Sequence, residues 1–303
     1  MLSVDWRMLS YENMAEISKN TDVNDPDFFR FIAPTLPESN VVNMIIKEQK
    51  RILNERTPGK YVYMFLALGI FRRMEVPYYF GRIIDDQVDG DQEIPTGFSS
   101  CEDYIDYLKN SLEEKDDRTF RGGIAEFLML KSVSNLEKLE QSHGETKTQT
   151  VKFLDAMLSE HQRRTKQGVL TRVELTQRYH DTFDPPQDIT FIATGSPTRS
   201  SHVPDLALAQ GKSFAVKDLK PDISKGICNI PAEILDQAEL TFPKLMEDPN
   251  LVDGNGLIQE WRLNEQREAE QLVDNLWRMK LEPRAWALVR FLTLGVKREY
   301  NLP

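Results

Sequence analysis

The segment Arg82-Ile83-Ile84-Asp85-Asp86-Gln87-Val88-Asp89-Gly90-Asp91 gathers carboxylates at a spacing that can do chemistry. On a helix, Asp85 and Asp89 stand four residues apart and Asp86 and Asp89 three apart, so all three project toward one side. Like charges so placed repel. A hard divalent cation such as Mg2+ compensates them, because it takes carboxylate oxygens while keeping waters and substrate phosphate oxygens in its shell. Gly90 lets the helix end just beyond them. A second segment, Lys217-Asp218-Leu219-Lys220-Pro221-Asp222-Ile223-Ser224-Lys225-Gly226, again sets two carboxylates, Asp218 and Asp222, four residues apart. If its helix faces the first, five carboxylates converge across a cavity, a site for metal ions bridging a diphosphate. Acidic clusters on helices are usually solvated faces, and the pairing of two such clusters is what lifts this reading above that one.

The elements that must position these residues read as helices. Apolar positions recur three and four apart, with charges between them, over Val41–Glu55, Glu102–Glu114, Ile124–Gln141, Thr148–Gln167 and Glu260–Lys280. Strand-like alternation is nearly absent. Thr57-Pro58-Gly59 and Pro95-Thr96-Gly97 punctuate the helices, and Ser99 or Ser100 can cap the one carrying Glu102. Asp184–Pro204, with Pro185-Pro186 and Gly195-Ser196-Pro197, and Asp248–Gly256 read as loops. Pro221 lacks an N–H and removes the bond to the Lys217 carbonyl, so the helix should kink or break inside the second motif. Trp261, Trp277 and Trp286 are expected to pack the C-terminal helices.

Composition narrows the classes. With 40% hydrophobic and 28% charged residues, the 303-residue chain can bury a substantial core, which excludes wholesale disorder. The 38 basic against 48 acidic residues give −10, which repels a phosphate backbone and argues against nucleic acid as a partner. Cys101 and Cys228, far apart in sequence, read as buried free thiols of a reducing compartment. Charges break up the first twenty residues, and the longest apolar run, Tyr61–Phe71, is short of the ~20 residues that cross a bilayer. A cytoplasmic protein is expected, with contact at a membrane surface left open. The four histidines show no zinc-type spacing, and no Gly-rich nucleotide-binding fingerprint follows a strand. The basic run His161–Lys166 reads first as a solvated face.

Taken together, the motifs resemble the squalene and phytoene synthase family, the head-to-head class I isoprenoid synthases. Tyr78-x-Phe80-x-Arg82-x-x-Asp85-Asp86-x-x-Asp89 is similar to the approach to that family's first aspartate-rich motif. Asp218-x-x-x-Asp222-x-x-x-Gly226-x-x-x-x-Pro231 is similar to its second, and Phe28-Phe29 with Leu36-Pro37 resembles its opening segment. Met157-Leu158-Ser159-Glu160 resembles a methionine and aspartate segment midway. The resemblance is strongest over residues 27–240. It departs at Phe214, where the family has asparagine, at Pro221, where it has an acid, at Ile227, where it has a basic residue, and at Tyr179–Pro186, which replaces a small flexible stretch.

The resemblance implies a single all-α domain over 1–303, a helical bundle with a central cavity. In it Asp85, Asp86, Asp89, Asp218 and Asp222 hold Mg2+, with Mn2+ as substitute. Arg82, Lys217, Lys225 and Arg73 clamp the diphosphate of farnesyl or geranylgeranyl diphosphate, as fixed cations can. Tyr78, Phe80, Tyr179, Phe183 and Phe214 shield a carbocation, which aromatic faces stabilise. Two allylic diphosphates would join head to head to a squalene- or phytoene-like hydrocarbon, with NADPH use left open. Phe214, Pro221 and the altered Tyr179–Pro186 segment keep a terpene cyclase acting on one prenyl diphosphate in view. A non-catalytic scaffold of the same family is the third reading.

Overall fold

The structure, a computed structural model, describes residues 39–47, 73–113 and 120–298. Phe28-Phe29, Leu36-Pro37, Thr57-Pro58-Gly59, Tyr61–Phe71 and the second half of the helix expected over Val41–Glu55 lie outside them. The described residues form helices and no strand; Val169 and Cys228 make an isolated parallel bridge. None of these helices is long and apolar enough to cross a membrane. The chain divides into two compact units, Met1–Asn135 and Leu136–Pro303, and each is taken by itself.

In the first unit, α1 spans 39–47, α2 Glu75–Val88, α3 Cys101–Ser111 and α4 Gly123–Leu136. Helix α2 buries Val76, Tyr79, Phe80, Ile83, Ile84 and Val88, a stripe at three- and four-residue spacing that fixes which face meets the core. Ser100 caps α3 as expected, its hydroxyl accepting from the Asp103 N–H at 3.2 Å. The buried Tyr104 hydroxyl donates to Gln87 Oε1 at 3.0 Å and so ties α3 to the last turn of α2.

In the second unit, α5 spans Glu145–Lys166, α6 Arg172–Thr194, α7 Asp205–Lys217, α8 Leu219–Ser224, α9 Ala232–Gln237, α10 Phe242–Glu247, α11 Leu251–Gly254, α12 Gly256–Arg278, α13 Pro283–Leu292 and α14 Leu294–Arg298. Helix α6 packs on α5 and on α7, and α7 packs on α12. The small buried residues Ala207, Ala209, Gly211 and Ala215 let neighbours approach α7 closely. The short helices α8–α11 close over a second core of Leu219, Ile223, Ile230, Phe242, Leu245 and Trp261. Trp277 donates to Thr293 Oγ1 at 2.9 Å. Trp286 departs from the expected packing: it stays 45% exposed, with the Arg290 guanidinium 4.9 Å from its ring.

Two expectations are corrected. The first half of the loop expected over Asp184–Pro204 is helix, because α6 runs through Pro185 and Pro186 to Thr194; residues 195–204 are the expected connection, with one 3-10 turn at Ser200–His202. A capping box of Thr171 and Glu174 starts α6, and Gly195 at φ +69° ends it, with the Ser196 N–H returning to the Phe191 carbonyl at 2.9 Å. Leu175, Tyr179, Ile189, Phe191 and Ile192 are buried along it, so packing outweighs the bonds two prolines remove. Within Asp248–Gly256, a single helical turn, Leu251–Gly254, interrupts the loop.

Tyr179, 2% exposed, lies flat against α7 at Gly211, where an added Cβ would sit 2.2 Å from its Cγ. Gly211→Ala should therefore destabilise the fold by about 1–3 kcal/mol as an overpacked interface does. Urea unfolding checks this, and the penalty should shrink when Tyr179→Ala is added, because the ring atoms nearest the new methyl are then gone and only the residue-179 Cβ, at 2.7 Å, still crowds it.

Candidate functional site: two aspartate motifs at helix ends

Both motifs sit where a helix stops. Helix α2 carries Asp85 and Asp86 and ends on Asp89, with Gly90 in the left-handed region at φ +76°. The Gly90 N–H returns to the Gln87 carbonyl at 3.2 Å and the Asp91 N–H to the Asp86 carbonyl at 2.8 Å. This is the Schellman pattern, and it needs a residue that tolerates positive φ. Arg82 bridges Asp85 at 2.9 Å and the buried Asp86 at 2.6 Å. Gln92, two residues past the glycine, donates its amide to Asp86 Oδ2 at 3.2 Å.

The second motif repeats the construction. Helix α7 stops at Lys217, Asp218 is non-helical at φ −94° and ψ 12°, and α8 begins at Leu219. The break expected from Pro221 is present, one turn earlier than the proline. It places Pro221 in the first turn of α8, where N–H groups have no intrahelical acceptor anyway. Gly226 at φ +84° ends α8, with its N–H on the Ile223 carbonyl at 3.0 Å and the Ile227 N–H on the Asp222 carbonyl at 2.8 Å. Asn229 then donates Nδ2 to Asp222 Oδ2 at 2.7 Å.

Behind Asp222 stands a buried polar chain that the sequence reading missed. The Asn229 carbonyl accepts from Arg163 Nη2 at 3.1 Å, and Arg163 Nη1 donates to the Cys228 carbonyl at 2.9 Å. Arg163 also pairs with Glu160 at 2.8 Å, and Arg178 of α6 grips both oxygens of that carboxylate. Burial alone would push Glu160 up, but the charges and hydrogen bonds of Arg178 and Arg163 outweigh it and hold the carboxyl below its ordinary value. Arg163 lies inside the run His161–Lys166, whose other members are half-buried or exposed, so that run is not wholly a solvated face. The i,i+3 spacing of Glu160 and Arg163 was the available signal. Cys101 and Cys228 are buried free thiols, and burial pushes Cys228 up to about 11.

The remaining expected residues fall as follows. Arg73 is exposed in the turn before α2, while Lys217 and Lys225 are exposed beside the second motif. Tyr78 meets Tyr79 edge-on at 5.3 Å, and Phe80 is buried in the first unit. Phe183 of α6 stacks on Phe214 of α7 at 5.7 Å and 8°, and the Lys217 ammonium stands 5.9 Å from the Phe214 ring. Phe214 remains 44% exposed.

Among the described residues, no three His, Cys, Asp or Glu side chains are drawn together as a metal-holding group. Mg2+ does not require one, since it binds through one or two carboxylates and completes its shell with waters and phosphate oxygens. The donor set here, pairs of hard carboxylates at helix ends, fits that habit. Comparison with family models, with curated proteins and with solved structures returns no match.

Replacing Glu160 by Gln leaves the buried Arg163 guanidinium without its ion-pair partner and takes from Arg178 the carboxylate it grips, which should destabilise the second unit by about 3–5 kcal/mol near neutrality. Because the Glu160 pKa is depressed by folding, its contribution is full above the unfolded value of about 4.3 and fades as pH falls through the folded one. The stability gap between parent and Glu160→Gln should therefore hold from pH 8 to 5 and narrow below about pH 4 in urea titrations.

Proposed function

We propose that the chain is a Mg2+-dependent prenyltransferase that joins two allylic prenyl diphosphates head to head, releasing diphosphate and giving a squalene- or phytoene-like hydrocarbon. The observation that carries this reading is the aromatic stack of Phe183 on Phe214, which lies in the last turn of α7, four residues before Asp218, with Lys217 over the ring. It sets an exposed apolar surface next to carboxylates and a cation, the two halves that a prenyl diphosphate presents to a protein.

In this reading each motif would hold Mg2+ through its own carboxylates, Asp85, Asp86 and Asp89 in the first and Asp218 and Asp222 in the second. Bound Mg2+ supplies Lewis-acid neutralisation of the departing diphosphate. Arg82 and the exposed Lys217, Lys225 and Arg73 hold phosphate oxygens, the arginines as planar forks and the lysines as point charges. The allylic carbon–oxygen bond breaks with its electron pair leaving on diphosphate. Phe183 and Phe214 exclude water from the cation left behind and stabilise it through their ring faces. The double bond of the second substrate attacks this cation and the joined species loses a proton; departure of the second diphosphate with its electron pair then leaves a new cation, which gives up a second proton to reach a phytoene-like product or takes a hydride to reach a squalene-like one, for which NADPH is the donor to test.

The Phe183–Phe214 stack also favours a second reading. A bulky ring beside the motif narrows the space for a second prenyl chain, which suits a cyclase that ionises one diphosphate and closes rings.

Purified protein incubated with farnesyl or geranylgeranyl diphosphate, with Mg2+ or EDTA and with or without NADPH, tests both. A metal-dependent hydrocarbon of two prenyl units, with two diphosphates released per product, is the expected result. One prenyl unit with one diphosphate establishes the cyclase. No turnover with either substrate overturns both readings and leaves the scaffold. Asp86→Asn should lower turnover on the order of 10²-fold or more, the several kcal/mol that metal neutralisation contributes, with the fold retained by circular dichroism.

A further inference from the structure

We infer that Asn229 and Gln92 are positioning residues: each carboxamide reaches back across a helix end and fixes the aspartate that binds the cation, Asp222 in one motif and Asp86 in the other. This rests on reading those aspartates as cation ligands. The two motifs share more than sequence. In each, the aspartate occupies the third position from the helix end, and its carbonyl accepts the N–H of the residue after a positive-φ glycine, Asp91 to Asp86 and Ile227 to Asp222 at 2.8 Å. That reversal carries the following chain back over the helix's last turn. Within three residues of the glycine a carboxamide then donates to the same aspartate's Oδ2, Gln92 at 3.2 Å and Asn229 at 2.7 Å.

The orientation of Asn229 is not free. Its Oδ1 faces Arg163 Nη2 at 3.1 Å, and a guanidinium can only donate, so the oxygen must point there and the amide N–H toward Asp222. A flipped amide would set donor against donor and oxygen against carboxylate. Arg163 is itself fixed by Glu160 at 2.8 Å and by the Cys228 carbonyl at 2.9 Å, and the Cys228 backbone is bridged to Val169. The rotamer of Asp222 is thus set by a chain of bonds that runs to α5 and, through Arg178, to α6. Asn229 is 4% exposed, so its partners have no water to replace it. An ionised carboxylate has about four acceptor sites, so the amide bond that orients Asp222, and the amide and Arg82 together on Asp86, do not exhaust them.

Outer partners that orient metal ligands typically change metal affinity by about 10–100-fold when removed. The test titrates Mn2+ in the presence of inorganic diphosphate, read by electron paramagnetic resonance at a temperature where every variant is folded. Asn229→Leu and Gln92→Leu should each raise the Mn2+ dissociation constant about tenfold or more, and Asn229→Gln, which restores a carboxamide, should recover part of the loss. Gln92 is half-exposed, so its variant keeps the test alive if Asn229→Leu does not fold. Asp222→Asn and Asp86→Asn separate the two claims. If they weaken Mn2+ binding while both leucine variants bind as the parent does, the positioning role is overturned and the ligand assignment stands. If the asparagine variants bind as the parent does, the ligand assignment is wrong and the positioning role falls with it.

Discussion

The second unit depends on Glu160 being closed away from water between two arginines. The carboxylate comes from α5, one guanidinium from the next turn of α5 and the other from α6, so the pairing fixes how those helices meet. Arg163 also donates through its two terminal nitrogens to the Cys228 carbonyl and Asn229, in a segment more than sixty residues away. A buried ion pair is weak evidence for stability, because apolar side chains of the same volume would often hold the helices as well or better. What apolar side chains cannot supply is direction. A guanidinium with both ends engaged leaves Asn229 one orientation, and that orientation presents an N–H to Asp222.

The two aspartate motifs show how much of a site's geometry is backbone. Gly90 and Gly226 adopt φ of +76° and +84°, which other residues reach at a cost of roughly 1–2 kcal/mol. Each glycine allows the N–H of the next residue to close on an aspartate's carbonyl, so the residue that supplies the carboxylate also anchors the turn. Substituting either glycine would disturb the carboxylate through its own main chain, without touching the side chain.

Much of this was legible in the sequence, for definable reasons. The helices around Glu102, Ile124, Thr148 and Glu260 carry long apolar stripes with charges between, and Ser100 and Gly90 announce helix ends through local chemistry. The break before Pro221 follows from a missing N–H. The helix through Pro185 and Pro186 was not legible, because what sustains it is burial against α5 and α7, and no local signal reports that. Arg163 was hidden for the opposite reason. In sequence it is one basic residue among several, and only the approach of Glu160, Cys228 and Asn229 distinguishes it. Asn229 is a lone amide in an apolar stretch, where spacing carries no information about which carboxylate it will meet.

The exposure of Phe214 bears on what the second motif is for. Folding favours removing such a ring from water, at roughly 25 cal/mol per Å², yet 44% of it remains accessible while its partner Phe183 is half-buried. Stacking returns only about 0.5–1.5 kcal/mol beyond the area covered. Lys217 lays its ammonium near the ring, so the patch is apolar with a charged rim. An apolar chain ending in an anionic head would satisfy both parts at once: the chain would cover the rings that folding leaves wet, and the head would meet the lysine beside the carboxylates. A protein partner covering the same rings would have to bring its own charge to the same place. The prenyl diphosphate proposed above would need no such coincidence, because its apolar tail and its charged head are one molecule.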